Sequence, residues 1–474
     1  MSALIYLIPI LFPMAAGLVV ILARPKREDL FCCLCAGLTV LSVAALGIAE
    51  TPLFWHLTEN VVLLLSADRL SLFFLLLISV ASAITILCSC EYLASDGRRR
   101  LFFGFLFFTL GAMMGVCLSG NMVTFYMFFE LMTLCSFPLI LYKKGERSNR
   151  AAFVYLGFSV LGACMVLMGL FLGGSEVLVP FGRSAVGSIS RRNLWSYLLM
   201  ALGFSCKAGM MPLSNWLPIA HPEAPSPASA LLSGIITKTG ILGMFRATFF
   251  LFGADSLAGT FPQTVLLVLS IATIFTGSML AYKEQVLKKR LAFSSVSQIS
   301  YVIFGLSLMT PAGFAAALLQ VFFHACAKLG LFLCAGNYLH YEKSRLVSDL
   351  KGVGRRMPGV TAAFTCLSLS LIGIPPFGGF ITKWQLAGAA LDLGRPLATA
   401  GVVTLMVSAL LTAGYLLPII SRAYVPGEGL TYEKRDAHLP MLLSLTVLSV
   451  VSAVMGMFPG ALESLFSSIA ESIF

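Results

Sequence analysis

Apolar residues come in runs of about twenty along almost the whole chain, the length a helix needs to cross the hydrocarbon of a bilayer. Reading the runs off predicts about fourteen membrane-spanning helices, at residues 3–23, 29–49, 66–90, 101–119, 121–141, 151–173, 194–212, 228–252, 262–282, 291–309, 312–340, 358–391, 398–424 and 439–458. The eleventh run is long for one crossing. Two runs carry their own interruptions. The seventh meets Pro212 soon after Lys207, and a proline removes a helical amide and clashes with the preceding turn, so the helix is expected to break there. The twelfth reads LSLSLIGIPPFGGFITKWQL, where Pro375, Pro376, Gly378 and Gly379 predict a second break, with Lys383 just beyond it. Broken helices are tolerated in membranes where they line a cavity or pack within protein.

The two broken runs lie five spans apart. A repeat of five spans would give that spacing, with one copy over spans 4–8 and the other over 9–13, and an odd number of spans inverts the second copy across the membrane. The predicted organisation is therefore N-terminal helices 1–3 at 1–95, a first five-helix repeat at 101–252, a second at 262–424, and a last helix within 439–474.

Composition agrees with an all-α polytopic membrane protein: 58% of the 474 residues are hydrophobic and 11% charged. The first run is followed, not preceded, by its cations, the reverse of a signal peptide, and reads as a retained helix. The net charge of +11 does not indicate a nucleic-acid partner, because the cations sit at span ends. One alternating set of loops holds Arg24, Lys26 and Arg27; Arg98, Arg99 and Arg100; Lys143, Lys144, Arg147 and Arg150; Lys283, Lys288, Lys289 and Arg290; Lys343, Arg345, Lys351, Arg355 and Arg356; and Arg422, Lys434 and Arg435. The opposite set holds only Arg69, Arg183, Arg191, Arg192, Arg246 and Arg395. The positive-inside rule then places the rich loops in the cytoplasm and both termini outside a bacterial or archaeal plasma membrane. The twelve cysteines fall almost entirely inside apolar runs with no CxxC spacing, so they read as packed thiols. No nucleotide loop, haem ligand pair, metal site or cluster motif is evident, which predicts no cofactor and no redox or catalytic group in this chain itself.

Setting the loop cations aside isolates Lys207, Lys238, Lys328 and Lys383, all within apolar runs or at their breaks. Glu130 is the one acid in the middle of a span. Charges at that depth are costly and call for a partner or a water-filled cavity, and they mark ion paths; the competing reading is that the lysines snorkel to an interface and Glu130 makes a structural hydrogen bond. Lys207 and Lys238 flank a proline-rich stretch that includes His221. His324 and Lys328 lie four residues apart on one helix face, and a histidine suits proton relay, although a purely structural histidine is the alternative. Ser294, Ser295, Ser297, Gln298 and Ser300 make the tenth run polar at its start, either to hydrate a path or to bond backbone carbonyls.

Glu130, Lys207, WLPIAHPEAPSPASALLSGIITKTG, LAFSSVSQISY, FHACAKLGLFLCAG and PPFGGFITKW follow one another in this order. Together they resemble the antiporter-like membrane subunits shared by respiratory complex I, Mrp-type multisubunit cation/proton antiporters and energy-converting hydrogenases. The chain is similar to the shorter members, including the Mrp D-type subunit. The resemblance implies a fourteen-helix fold with two inverted five-helix repeats and half-channels that meet at a polar midplane. It implies a proton path of Glu130, Lys207, Lys238, His324 and Lys383, supported by His221, Pro212, Lys328, Ser295, Pro375 and Pro376. The expected partners are other membrane subunits of a multisubunit complex, a peripheral redox arm in some of its forms, and protons as cargo, with Na+ as the alternative cargo. In that scheme Glu130 pairs with Lys207 until a neighbouring subunit draws it away. Two other readings remain: a stand-alone secondary transporter, which would work alone in liposomes, and a structural anchor, which would tolerate loss of its buried charges.

Overall fold

The computed structural model describes residues 2–48, 51–58, 62–182, 186, 189–425 and 435–474; Arg183 and Lys434 lie outside the described residues. Each predicted span is helical. The chain runs through α1 (Ile8–Leu22), α2 (Glu28–Ala44), α3 (Arg69–Tyr92), α4 (Arg99–Leu118), α5 (Met122–Leu141), α6 (Glu146–Gly173), α7 (Arg191–Ala208), the short α8 (Trp216–Glu223) and α9 (Ser226–Phe252). It continues through α10 (Phe261–Lys283), α11 (Leu287–Ser307), α12 (Pro311–Glu342), α13 (Pro358–Ile372), α14 (Gly378–Asp392), α15 (Pro396–Tyr424), α16 (Leu439–Met457) and α17 (Gly460–Glu471). Ten of these segments, the first of them taken with the turn that precedes α1 as Leu4–Leu22, are long and apolar enough to cross a membrane alone. The other four runs fall short because α2 is short, α7 and α11 are polar, and the twelfth is divided into α13 and α14. The helix α17 and a hairpin of β1 (Leu53–His56) with β2 (Val62–Leu65) were not anticipated from the apolar pattern.

Both predicted breaks are present. The seventh run ends at Ala208, and Gly209 follows with φ +96°; α13 ends at Ile372, and Gly373 follows with φ +92°. That backbone region is closed to most side chains, so a glycine at each position lets the helix stop. The peptide bonds Met211–Pro212 and Pro375–Pro376, inside the two breaks, are cis.

The helices pack as two units, one of Met1–Ala208, Ile235–Pro262 and Ile473–Phe474, the other of Gly209–Gly234 and Gln263–Ser472. The chain leaves the first unit at the end of α7 and returns to it inside α9, where Leu232–Ile236 form a π-helical turn. A second such turn covers Arg246–Phe252. Wider turns of this kind inside helices are frequent at functional sites.

In the first unit, helix starts are set by side chains that accept from otherwise unpartnered amides: Asp68 from Ser71 N–H (2.7 Å) at α3 and Asn121 from Thr124 N–H (2.9 Å) at α5. Asn121 and Thr124 also hold the hairpin. The Asn121 side-chain amide donates to the Val62 carbonyl (2.7 Å), and Thr124 Oγ1 accepts from Leu64 N–H (2.8 Å). Arg246, counted with the loop cations in the sequence, is instead buried within α9. Its guanidinium donates to both oxygens of Asp68 (2.5 and 2.9 Å) and to Ser71 Oγ (2.8 Å), and lies over the Phe250 ring. The buried cation is thus paired and hydrogen-bonded, as burial of charge requires.

In the second unit α12 is the buried centre, with 94% of its most apolar window enclosed, which explains how a helix of 32 residues can carry apolar side chains on every face. Its start is set by Thr310, which accepts from Gly313 N–H (3.1 Å), and by Pro311 in the first turn.

Asp68→Ala would leave the Arg246 guanidinium, 3% exposed, without its carboxylate. The expected cost is about 2 kcal/mol, below the roughly 3–5 kcal/mol of a fully buried pair, because Asp68 keeps 42% of its side chain exposed. Thermal unfolding in detergent measures it; an unchanged midpoint would show that the pair contributes nothing.

Candidate functional site

The predicted path residues divide between the two units. Glu130, Lys207 and Lys238 belong to the first; His221, His324, Lys328 and Lys383, with Pro212, Ser295, Pro375 and Pro376, belong to the second.

Lys207 sits in the last turn of α7 with 1% of its surface exposed. Its ammonium donates to three hydroxyls: Thr133 Oγ1 (2.9 Å), Tyr155 OH (2.7 Å) and Ser159 Oγ (3.0 Å). Thr133 lies one turn beyond Glu130 on α5, and Tyr155 and Ser159 are one turn apart on α6, so a face of each helix is aimed at the amine. Three donors meet three acceptors, and the cation is solvated by protein. The Tyr155 hydroxyl is also within 2.5 Å of Ser136 Oγ, which extends the hydroxyl chain along α5.

This arrangement corrects the direct Glu130–Lys207 pair expected from the sequence. Among the described residues, no carboxylate lies at ion-pair distance from Lys207. Glu130 is half-buried, and its Oε1 has no hydrogen-bond partner among the described residues.

Lys238 is buried in the α-helical part of α9, between the two π-helical turns. Two residues on, Gly240 packs against the Lys207 turn. A Cβ there would lie 2.6 Å from the Phe204 carbonyl oxygen and 3.2 Å from Lys207 Cβ. The glycine of the KTG sequence therefore sets how closely α9 approaches the end of α7.

In the second unit Lys383, on α14, reaches back across the break. Its Nζ donates to the carbonyls of Leu371 and Ile372, each at 2.7 Å, the last of α13. A lysine from one half-helix thus caps the C-terminus of the other and meets the negative end of its dipole. Lys383 also lines a small cavity with His324, Gln298 and Gln320, with space for about one water molecule. Thr382 Oγ1 donates to Gln320 Oε1 (2.7 Å), and Gln320 Nε2 to Gln298 Oε1 (3.0 Å), so the cavity is edged by an ordered amide chain.

Lys328 shares a helix with His324 but faces α11, donating to the Leu291 carbonyl (3.0 Å) and to Ser294 Oγ. Of the polar residues at the start of α11, Ser294 and Ser295 donate to the Leu291 carbonyl and Ser300 to that of Val296, whereas Gln298 accepts from Gln320 at the cavity. Ser295 also meets Ser233 Oγ at 2.6 Å. The His221 ring stacks on Phe332, with centroids 4.6 Å apart. Pro212 lies in the turn between α7 and α8, and Pro375 and Pro376 between α13 and α14.

The sequence reading missed Thr133, Tyr155 and Ser159. The available signal was positional: a hydroxyl one turn from the mid-span acid, and two hydroxyls one turn apart on the next helix. Among the described residues no group of three or more His, Cys, Asp or Glu side chains converges as a metal site would.

A family profile described as "NADH:quinone oxidoreductase/Mrp antiporter, TM" matches residues 119–412. The chain is similar to NADH-quinone oxidoreductase subunit N of Desulforudis audaxviator, 29% identical over 509 aligned positions that cover 99% of this chain and 97% of that one. It is 31% identical to hydrogenase-4 component B of Escherichia coli over 71% of its own length, and spans only 52% of that protein. Its fold matches a chain of the Mrp complex from Dietzia with a TM-score of 0.86 and 22% identity, over 100% of this chain and 97% of that one.

Lys383→Leu leaves two buried carbonyls without their donor and is expected to cost about 1–3 kcal/mol. Lys383→Gln keeps a donor and should retain most of the stability. Thermal midpoints of the two variants test the cap; equal midpoints would remove it.

Proposed function

The chain belongs to the NADH:quinone oxidoreductase/Mrp antiporter transmembrane family, and from that premise we propose that it is the proton-moving membrane subunit of a multisubunit complex. It would be multi-pass, with both termini outside, and the five-helix repeats at 101–252 and 262–424 would each supply a half-channel. Glu130, Lys207 and Lys238 would serve one half of the route, His324 and Lys383 the other, with neighbouring membrane subunits as partners and, in redox-driven forms, a peripheral arm supplying the energy.

The observation that carries this reading is the set of hydroxyls around Lys207. A hydroxyl both accepts and donates. Thr133, Tyr155 and Ser159 can therefore accept from an ammonium and, after rotation, donate to the lone pair of the neutral amine. Neither state leaves a buried polar group unsatisfied, so the amine can lose and regain a proton without the large penalty of an orphaned group. Glu130, acting at a distance, biases that choice through its charge. A neighbouring subunit that neutralises or attracts Glu130 would shift Lys207 toward release. The Lys383 partners differ in kind: carbonyls only accept, so they favour the ammonium and suit a group that receives a proton at the far side. Moving one charge against 100 mV costs about 2.3 kcal/mol, a size that a change of one buried charge contact can supply.

The test begins with the tagged chain purified gently with its partners. Hydrogenase or dehydrogenase subunits among them call for the corresponding redox drive, and membrane subunits alone call for imposed Na+ or proton gradients. In inverted vesicles read with a pH-sensitive dye, Lys207→Ala is expected to abolish proton movement while the complex stays assembled. Normal acidification by that variant would sink the proposal.

A further inference from the structure

A cleft of about 470 Å³ lies among α4, α5 and α6. Its walls include Phe105, Pro138 and Phe153, and Arg98 and Lys144 stand at its edge. Arg98 immediately precedes α4, and Lys144 follows the end of α5. Both cations therefore sit where helices meet the headgroup layer, whereas Phe105, six residues into α4, lies roughly 9 Å deeper at about 1.5 Å per residue. Tyr142 divides the two zones: the Arg98 guanidinium is 5.3 Å from its ring centroid.

Neither Arg98 nor Lys144 belongs to an ion pair among the described residues. The nearby Asp96 carboxylate accepts from the Arg98 backbone N–H (2.9 Å). At the other end Phe153 is 63% exposed, so the apolar wall is open toward the acyl layer.

Two unpaired cations at headgroup level above an open apolar wall match one amphiphile, with an anion at the top and a hydrocarbon chain below. The geometry points to a binding site for an anionic phospholipid, with its phosphate between Arg98 and Lys144 and an acyl chain along Phe105, Pro138 and Phe153. Basic pockets between membrane helices commonly take such headgroups. Inorganic phosphate would satisfy the cations and leave the apolar wall uncovered. The site lies apart from Glu130 and Lys207, and its occupancy does not depend on what the chain transports.

The test uses the full chain with its co-purifying partners in mild detergent. Phosphatidylglycerol, phosphatidylethanolamine of matched chains and inorganic phosphate serve as probes, with binding read by native mass spectrometry. Phosphatidylglycerol should bind in preference to both others. The double variant R98Q/K144Q should weaken it by roughly 30-fold, the size expected from two headgroup-level cations. The charge-preserving R98K/K144R keeps binding, which separates loss of the site from loss of the fold. R147Q/R150Q, changing neighbouring cations outside the cleft, should leave binding nearly unaltered. Equal binding of the two lipids, undiminished binding in R98Q/K144Q, or an equal loss in R147Q/R150Q would overturn the assignment. So would an assembled complex in which a protein segment fills the cleft.

Discussion

An amine placed inside an apolar slab must be solvated by the protein around it, because no bulk water is there to do so. Much of the architecture around the predicted path answers that demand. Lys207 is solvated by hydroxyls from two neighbouring helices, Lys383 by the carbonyls that its own broken helix exposes, and Lys328 by the start of α11. Arg246, deeper than its place in the sequence suggests, is solvated by a carboxylate and a serine. The helix breaks belong to the same account. A break frees carbonyls that a membrane cannot hydrate, and at the second break a lysine takes them up. The cost of burying the charge and the cost of breaking the helix offset each other at one place.

The chemistry of each cage differs in a way that bears on function. Around Lys207 the partners can reverse their direction of hydrogen bonding, so protonated and neutral amine are both accommodated. Around Lys383 they cannot. Two lysines that look alike in the sequence, each beside a proline–glycine break, are thus given different preferences by their neighbours.

Much of this was legible in the sequence. A bilayer admits few structures for a long apolar run, so the spans could be read from length alone. The breaks could be read from Pro212 and from Pro375–Pro376, because proline acts locally. Contacts between distant helices were not legible. The partners of Lys207 come from α5 and α6, and nothing in the local sequence says which polar group will point at the amine. The same limit hid the Arg246–Asp68 pair, whose members are far apart in the chain, and made Arg246 look like a loop cation. The hairpin at Leu53–Leu65 escaped because its strands are four residues each and carry no strong alternating pattern. The serines of α11 could be read as polar, but whether they would face a path or their own backbone depended on how the helix is packed.

The claim at the centre of this account is that reversible hydroxyl partners let Lys207 cycle between charged and neutral forms. It is tested most directly by removing the hydroxyls and keeping the lysine. In the assembled complex, the variant T133V/Y155F/S159A preserves much of the shape of the cage and deletes every donor it could turn toward a neutral amine. Proton flux, measured in sealed vesicles under the physiological drive, is predicted to fall by at least about tenfold, equivalent to roughly 1.4 kcal/mol on the limiting step. Flux equal to that of the unmodified complex would contradict the account and return Lys207 to the status of a buried structural cation.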